Sequence, residues 1–182
     1  MNFIFLQEFF ADYSIGSILL AVVISLIVYF IDKIPMNKIV DKFCYAIPFV
    51  LGIAFNFVYN LIASGIAVMN AEVISAGIMS GSLSVAVRVI VNRLLKGQPL
   101  PKNKQALIIT GLIEGYVDQN NVTASVEFIQ KFFDEGNCAM EDNEIITQIA
   151  LHLSQNSQNG FTDGDMTALA TLIFASVKQT KE

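Results

Sequence analysis

The 182-residue sequence has few of the side chains that perform catalysis or bind metals. It holds one histidine, His152, and two cysteines, Cys44 and Cys138, with no Cys-x-x-Cys pair and no cluster of cysteine with histidine. Structural zinc sites use four such ligands at short spacing, and a disulfide framework needs several cysteines. We therefore expect no metal, no other cofactor and no disulfide.

Candidate catalytic patterns are also missing. No serine, cysteine or carboxylate pattern around His152 resembles a catalytic triad, so this histidine is predicted to be a surface or packing residue. Asp163-Gly164-Asp165 resembles the start of a calcium loop, but the remaining ligand positions and the closing glutamate of that motif are absent. The sequence therefore predicts a protein that is not an enzyme.

Charge is scarce and unevenly distributed. Charged residues make up 15% of the chain, and its net charge is -5. Residues 1–96 carry six basic and five acidic side chains, whereas residues 97–182 carry five and eleven. A nucleic-acid-binding protein needs a dense basic face that replaces counterions on the phosphates. This sequence has none, so we exclude nucleic acid as a partner.

Long uncharged runs fill the first half of the chain. Hydrophobic residues make up 54% of the whole sequence, against roughly 45–50% in typical soluble proteins. Residues 13–31 carry no charge, and about 20 apolar residues cross the hydrocarbon of a bilayer. A cleaved signal peptide would need a positively charged start, but Glu8 and Asp12 are the charged residues before this run. The run predicts a transmembrane helix over about 13–31.

Two further spans are predicted. The second uncharged run, residues 43–71, predicts a helix over about 43–63 followed by a turn. The third, residues 73–87, is short, so a spanning helix over about 72–93 requires Arg88 to extend its charge to the interface. A buried helix of a soluble protein is the alternative for this third segment.

The positions of the basic residues predict the orientation. Basic residues near the ends of spans stay on the cytoplasmic side. A three-span chain with its amino terminus outside and its carboxyl terminus inside places all of the basic residues near its spans in the cytoplasm: Lys33, Lys38, Lys42, Arg88, Arg93, Lys96, Lys102 and Lys104.

Each predicted span has a stripe of small and polar residues. Such stripes allow helices to pack closely in lipid, where apolar side chains alone give no preference for a helical neighbour. On the third span the stripe covers a sector of roughly 60° and includes a GxxxG spacing: Asn70, Gly77, Gly81, Ser84 and Arg88. On the second span it consists of Gly52, Asn56, Asn60 and Ser64, and on the first of Ser14, Ser17, Ala21 and Ser25.

A second small-residue face lies opposite the first on the third span. It predicts that this helix is sandwiched between neighbours, and it consists of Ser75, Met79, Ser82 and Ala86. The stripes leave two interpretations open. Either they hold the helices of one monomer together, or they serve contacts between subunits or the lining of a water-filled path.

The second half predicts a separate soluble domain. Residues 97–103 contain Gly97, Pro99 and Pro101, which predict a linker. Residues 104–182 then show four amphipathic helical patterns, separated by turn signals at 120–121, 136–137 and 154–160, with Thr162 and Asp165 spaced as a capping box. We expect an acidic four-helix domain, and the complete chain is predicted to be all-α. The apolar positions are Ile109, Leu112, Ile113, Tyr116, Val117, Val122, Val126, Ile129, Phe133, Ile145, Ile149, Leu153, Met166, Leu169, Ala170, Ile173 and Val177.

Residues 14–96, with three short spans and a third span reading AGIMSGSLSVAVRVIVNRLLKG, resemble phage holins of the three-span class. The resemblance implies self-association in the bacterial inner membrane and a timed lesion, with Gly77 and Gly81 on a contact face. The chain departs from holins in two ways. It is longer than holins usually are, and its second domain is acidic, whereas holin tails are usually short and strongly basic.

Two functional hypotheses follow. The first is an oligomeric, holin-like protein that permeabilises the membrane. The second is a non-conducting membrane adaptor whose cytosolic helical domain binds a protein partner. In both hypotheses the lipid bilayer is a partner, and self-association is expected.

Overall fold

A computed structural model describes residues 9–11, 13–33, 44–65, 69–101, 103–134, 140–158 and 160–179. The predicted turn at 136–137 and Cys138 lie outside these residues. The main helices follow one another along the described chain: α1 Ile15–Asp32, α2 Ile47–Ser64, α3 Ala71–Leu95, α4 Lys104–Ile113, α5 Val122–Asp134, α6 Asp142–Asn156 and α7 Asp163–Gln179.

The predicted all-α class is confirmed. The described residues form no strand, and their one β-type pairing is an isolated bridge between Val117 and Ser157. The chain divides into two compact units, Met1–Leu100 and Pro101–Glu182. The boundary between the units falls inside the predicted linker at 97–103.

Local chemistry fixes the ends of the helices in the first unit. Ser14 caps α1 by accepting a hydrogen bond from the amide of Ser17 at 3.1 Å. Pro48 lies in the first turn of α2. A backbone N–H there would have no acceptor within the helix, so the lack of one in proline costs no hydrogen bond. Gly65 ends α2 in the left-handed region at φ 70°, as the predicted turn requires. Because Pro48 fits only near a helix start, α2 begins at Ile47 rather than at residue 43.

The third predicted span is the longest helix of the described chain. α3 has 25 residues and begins at Asn70, whose side chain accepts from the amide of Val73 at 2.9 Å. The predicted helix over about 72–93 is therefore present with nearly those bounds. The uncharged run 73–87 covers only part of it, because the helix continues through Arg88 to Leu95.

In the first unit, α3 packs against both other helices. Ser25 and Asp32 of α1 contact Ser84 and Arg88 of α3, so α1 and α3 run in the same direction. α2 runs opposite to α3, because successive turns of α2 meet successively earlier turns of α3: Phe49 lies against Gly81, and Ile53 lies against Gly77. Every residue of α3 from 80 to 86 is buried. The predicted second face is buried only at Ser82 and Ala86, whereas Ser75 and Met79 are exposed.

The second unit is a ring of four helices. α4 contacts α5 and α7, α6 contacts α7, and α5 contacts α6. Every apolar position predicted from the four helical patterns is buried. The predicted capping box is present at the start of α7, where Thr162 N–H donates to Asp165 at 2.8 Å and Asp165 N–H donates to Thr162 Oγ1 at 3.3 Å.

The run 154–160, predicted to carry turn or cap residues, contains the end of a helix. α6 continues to Asn156, so the first residues of the run belong to its last turn. Polar side chains in its last turn bond to the helix itself, since the amide of Asn156 donates to the carbonyl of His152 at 2.8 Å and the hydroxyl of Ser157 donates to the carbonyl of Ser154 at 3.1 Å. Turn-forming residues can therefore also end a helix.

Candidate functional site

Three glycines bring the backbones of α2 and α3 into direct contact. A Cβ atom at Gly52 would overlap the carbonyl oxygen of Gly77, and one at Gly77 would lie 2.5 Å from the Cα of Ile53. A Cβ atom at Gly81 would lie 2.8 Å from the Cα of Phe49. Real Cβ atoms essentially never approach other atoms within 3.0 Å. We call Gly52, Gly77 and Gly81 the glycine crossing.

A polar contact lies beside the glycine crossing. The amide of Asn56 donates to the carbonyl of Gly52 at 2.8 Å and to the hydroxyl of Ser80 at 3.2 Å. Ser80 in turn donates to the carbonyl of Ala76 at 2.8 Å. The second-span stripe is therefore used for contact with α3 at Gly52 and Asn56, whereas Asn60 is half-buried further along α2.

A second polar contact joins α1 to α3. The hydroxyls of Ser25 and Ser84 lie 3.1 Å apart, and Ser25 is within 3.0 Å of the carbonyl of Ser84 and 2.7 Å of that of Ala21. Ser84 is completely buried. Each hydroxyl has one hydrogen, so Ser84 can donate to Ser25 while Ser25 donates to a carbonyl. Both donors are then satisfied inside the chain.

An ion pair closes the same interface at the end of α1. The guanidinium of Arg88 lies 2.5 Å from the carboxylate of Asp32, and the two side chains are 32% and 35% exposed. Asp32 directly follows the uncharged run 13–31, and its role as a partner of Arg88 was not predicted from the sequence. Asp32 and Arg88 each end an uncharged run, and this shared position is the signal from which their pairing could have been predicted.

The predicted face on α3 is thus divided between two neighbours. Gly77 and Gly81 contact α2, Ser84 and Arg88 contact α1, and Asn70 caps the helix. All five residues serve helix packing or helix capping within one chain. A role of this face between subunits stays a prediction.

Outward-facing side chains of the first unit are large and apolar. Among the described residues, every exposed large hydrophobic side chain except Leu151 belongs to this unit. The most exposed include Ile15, Leu19, Phe30, Tyr59, Ile62 and Leu95. The interior combines small or polar residues, such as Ser80 and Ser84, with large apolar ones, such as Ile24, Phe49 and Leu83. Large apolar side chains therefore lie both inside the first unit and on its outer surface, and so apolar a surface is unusual for a soluble helical bundle.

His152 joins two helices of the second unit. Its ring stacks on Phe128 with centroids 4.0 Å apart and planes at 12°, and its Nε2 lies 3.1 Å from the hydroxyl of the buried Ser125. Burial lowers the pKa of His152 below its ordinary value of 6.5. Neutral imidazole packing on a phenyl ring is consistent with the predicted role as a packing residue.

The carboxylates of the Asp163-Gly164-Asp165 segment are engaged in local hydrogen bonds. Asp163 accepts from the hydroxyl of Ser154 at 2.7 Å, and Asp165 accepts from Thr162. Across the part of the chain that the structure describes, no group of three or more His, Cys, Asp or Glu side chains is placed to hold a metal ion.

Two of the helices, Ile15–Asp32 and Ala71–Leu95, are long and apolar enough to cross a membrane. The apolar stretch of α2, Ile47–Ala63, is shorter. Comparison of the chain with protein-family models, curated proteins and solved structures gave no match.

Proposed function

We propose that the first unit is a three-span membrane anchor that presents the second unit in the cytoplasm as a domain for binding a protein partner. The observation that carries the proposal is the outer surface of the first unit, where large apolar side chains are exposed on all three helices. Lipid solvates the apolar surface, and close packing of small residues holds the helices together.

Helix lengths support three crossings. α1 and α2 each have 18 residues, which corresponds to about 27 Å at 1.5 Å per residue. The hydrocarbon layer is about 30 Å thick. α2 is antiparallel to both neighbours and buries its glycine crossing against α3, so a bilayer that holds α1 and α3 also encloses α2.

The charges favour one orientation. The end of α1, the start of α2 and the end of α3 share one end of the bundle, and that end carries Lys33, Arg88, Arg93 and Lys96. The sequence has no Lys or Arg in residues 1–32 or 43–87. By the positive-inside rule the basic end faces the cytoplasm, which places the amino terminus outside and the second unit inside.

A reporter at each end of the bundle tests this topology. A reporter active only in the cytosol and fused after Glu182 should be active, and a periplasmic reporter at the same position should be silent. Fusions after Asn70, at the opposite end, should give the reverse pattern. A periplasmic signal from the Glu182 fusion would refute the proposed orientation.

Interior contacts favour an anchor over a pore. The glycine crossing is filled by Phe49 and Ile53, and the polar side chains Ser25, Asn56 and Ser80 all bond within the chain. A water-filled path would need these groups to face water instead of one another. The holin-like pore is the second candidate, and the uncharged polar side chains of the bundle, its serines and asparagines, are the feature that favours it.

Membrane depolarisation separates the two functions. Residues 1–101 and the full chain are expressed in bacteria, and a potential-sensitive dye is followed after induction. The anchor should insert without depolarising the cells. Depolarisation would establish the pore instead if two conditions hold. Gly77→Leu or Gly81→Leu must abolish it, and Gly16→Leu, at an open position, must leave it intact.

A further inference from the structure

α3 extends well beyond the end of α1, the helix with which it forms an ion pair. Asp32 and Arg88 form an ion pair, so they mark the same level of the bundle, and α1 ends at this level. Residues 89–95 continue α3 past it by about 10 Å. In a bilayer whose hydrocarbon is matched by α1, those two turns cross the headgroup layer, which is about 5–8 Å deep on each side.

The extending turns are amphipathic. Val91, Leu94 and Leu95 are exposed and fall within roughly 100° of one another on the helix. Asn92, Arg93 and Lys96 occupy a different sector, also of roughly 100°. One side therefore suits acyl chains, and the other suits polar headgroups.

The end of α1 carries an aromatic pair with a lysine. Tyr29 and Phe30 are 50% and 64% exposed, and their rings meet edge to face with centroids 5.8 Å apart. The ammonium of Lys33 lies 4.6 Å from the centre of the Tyr29 ring. Exposed aromatic rings beside a lysine are typical of the boundary between hydrocarbon and headgroups.

Positive charge dominates this end of the first unit. Among its described residues, Asp32 is the acidic one, and its carboxylate is paired with Arg88. Lys33 and Lys96 are exposed. Arg93 donates one hydrogen bond from its Nη1 to the carbonyl of Pro99 at 3.0 Å. Its Nε is buried, so the terminal nitrogens of the guanidinium are the ones that can donate to an anion.

We propose that this end of the bundle binds the headgroups of anionic phospholipids. We give the name basic rim to Lys33, Arg93 and Lys96, whose charges meet the lipid phosphates. Tyr29 and Phe30 set the depth at which these charges lie in the bilayer. The inference rests on the proposed membrane insertion. It adds a lipid preference at one end of the bundle, which insertion alone does not require.

Tryptophan quenching by brominated lipids tests the basic rim. The chain contains no tryptophan, so Phe30→Trp provides a single probe beside Lys33. Ile62→Trp, at a side chain 79% exposed near the opposite end of α2, provides the matched probe. The full chain carrying either probe is reconstituted in phosphatidylcholine bilayers, and quenching is measured with brominated phosphatidylglycerol and with brominated phosphatidylcholine.

The expected result is a preference for phosphatidylglycerol at the Phe30 probe and none at the Ile62 probe. Lys33→Gln, Arg93→Gln and Lys96→Gln should each weaken the preference, by up to about five-fold per residue at low salt. Lys131→Gln, an exposed lysine of the second unit, should leave it unchanged.

Two failures are distinguishable. Equal quenching by both lipids at both probes, or a preference that survives removal of all three basic-rim charges, would overturn the lipid site while leaving insertion intact. Absence of quenching by either lipid at both probes would overturn membrane insertion itself.

Discussion

Glycine residues at positions 52, 77 and 81 determine how closely α2 and α3 approach. At each of them a methyl group would meet backbone or a branched or aromatic side chain within 3.0 Å, and backbone atoms cannot move aside without shifting the helix. In lipid this closeness is a main source of association, because dispersion contacts and short interhelical hydrogen bonds replace the hydrophobic effect.

Gly77→Ala and Gly81→Ala should each destabilise the first unit by about 1–3 kcal/mol, the usual cost of overpacking a tight interface. The measurement is the midpoint of denaturant-induced loss of helicity for the purified full chain in detergent. Gly16→Ala is the matched control, since its added methyl group would have only the Ser14 hydroxyl nearby, at 3.8 Å. Equal midpoints for all three variants would contradict the glycine crossing.

His152 makes the second unit sensitive to acid. Because burial lowers its pKa below 6.5 in the folded state, the fold favours neutral imidazole. That contribution to stability is complete above about 6.5 and declines as pH falls through 6.5 toward the folded pKa. As the chain has one histidine, a labelled imidazole gives one NMR titration, which should have its midpoint below 6.5. A midpoint at or above 6.5 would contradict this prediction, and His152→Gln should remove the corresponding pH dependence of unfolding.

At the scale of helices, capping residues fix where α6 and α7 begin. Glu141 and Glu144 form a capping box at the start of α6, and Thr162 and Asp165 form another at the start of α7. These bonds satisfy amides that have no partner within the helix. The two helices lie in antiparallel contact, with Lys178 near the end of α7 bonded to Asp142 near the start of α6 at 2.8 Å.

Thr162→Ala should destabilise the second unit by about 1 kcal/mol, the typical cost of removing an N-terminal cap. For a domain of this size that corresponds to a fall in Tm of roughly 4–8 °C, measured by circular dichroism on residues 101–182. Thr171→Ala removes a hydroxyl that bonds only to a carbonyl of its own helix and should not lower Tm. Equal losses in the two variants would mean that the cap contributes nothing specific.

The helices were predictable from the sequence, and most of their contacts were not. Period and cap chemistry are local, so all four helices of the second unit and most of its buried positions follow from the residues themselves. Leu107 and Ile108 are fully buried but lie outside the predicted pattern. Pairings such as Asp32 with Arg88, or Gly52 with Gly77, depend on which helices become neighbours. A small-residue stripe shows that a face packs closely, but it does not name the partner, and α3 divides its stripe between α1 and α2.

At the scale of the whole molecule, the two units differ in how many large apolar side chains they expose, and this difference predicts how each behaves alone. Residues 101–182 enclose their apolar positions and leave Leu151 as the exposed large hydrophobic side chain among the described ones, so this fragment should be water-soluble, helical and cooperatively unfolding. Residues 1–100 expose large apolar surfaces and should stay in the membrane fraction after carbonate washing, leaving it only with detergent. Fractionation and circular dichroism of the two fragments provide the measurement. A carbonate-soluble first fragment, or a second fragment that needs detergent, would contradict the proposed roles of the two units as membrane anchor and cytoplasmic domain.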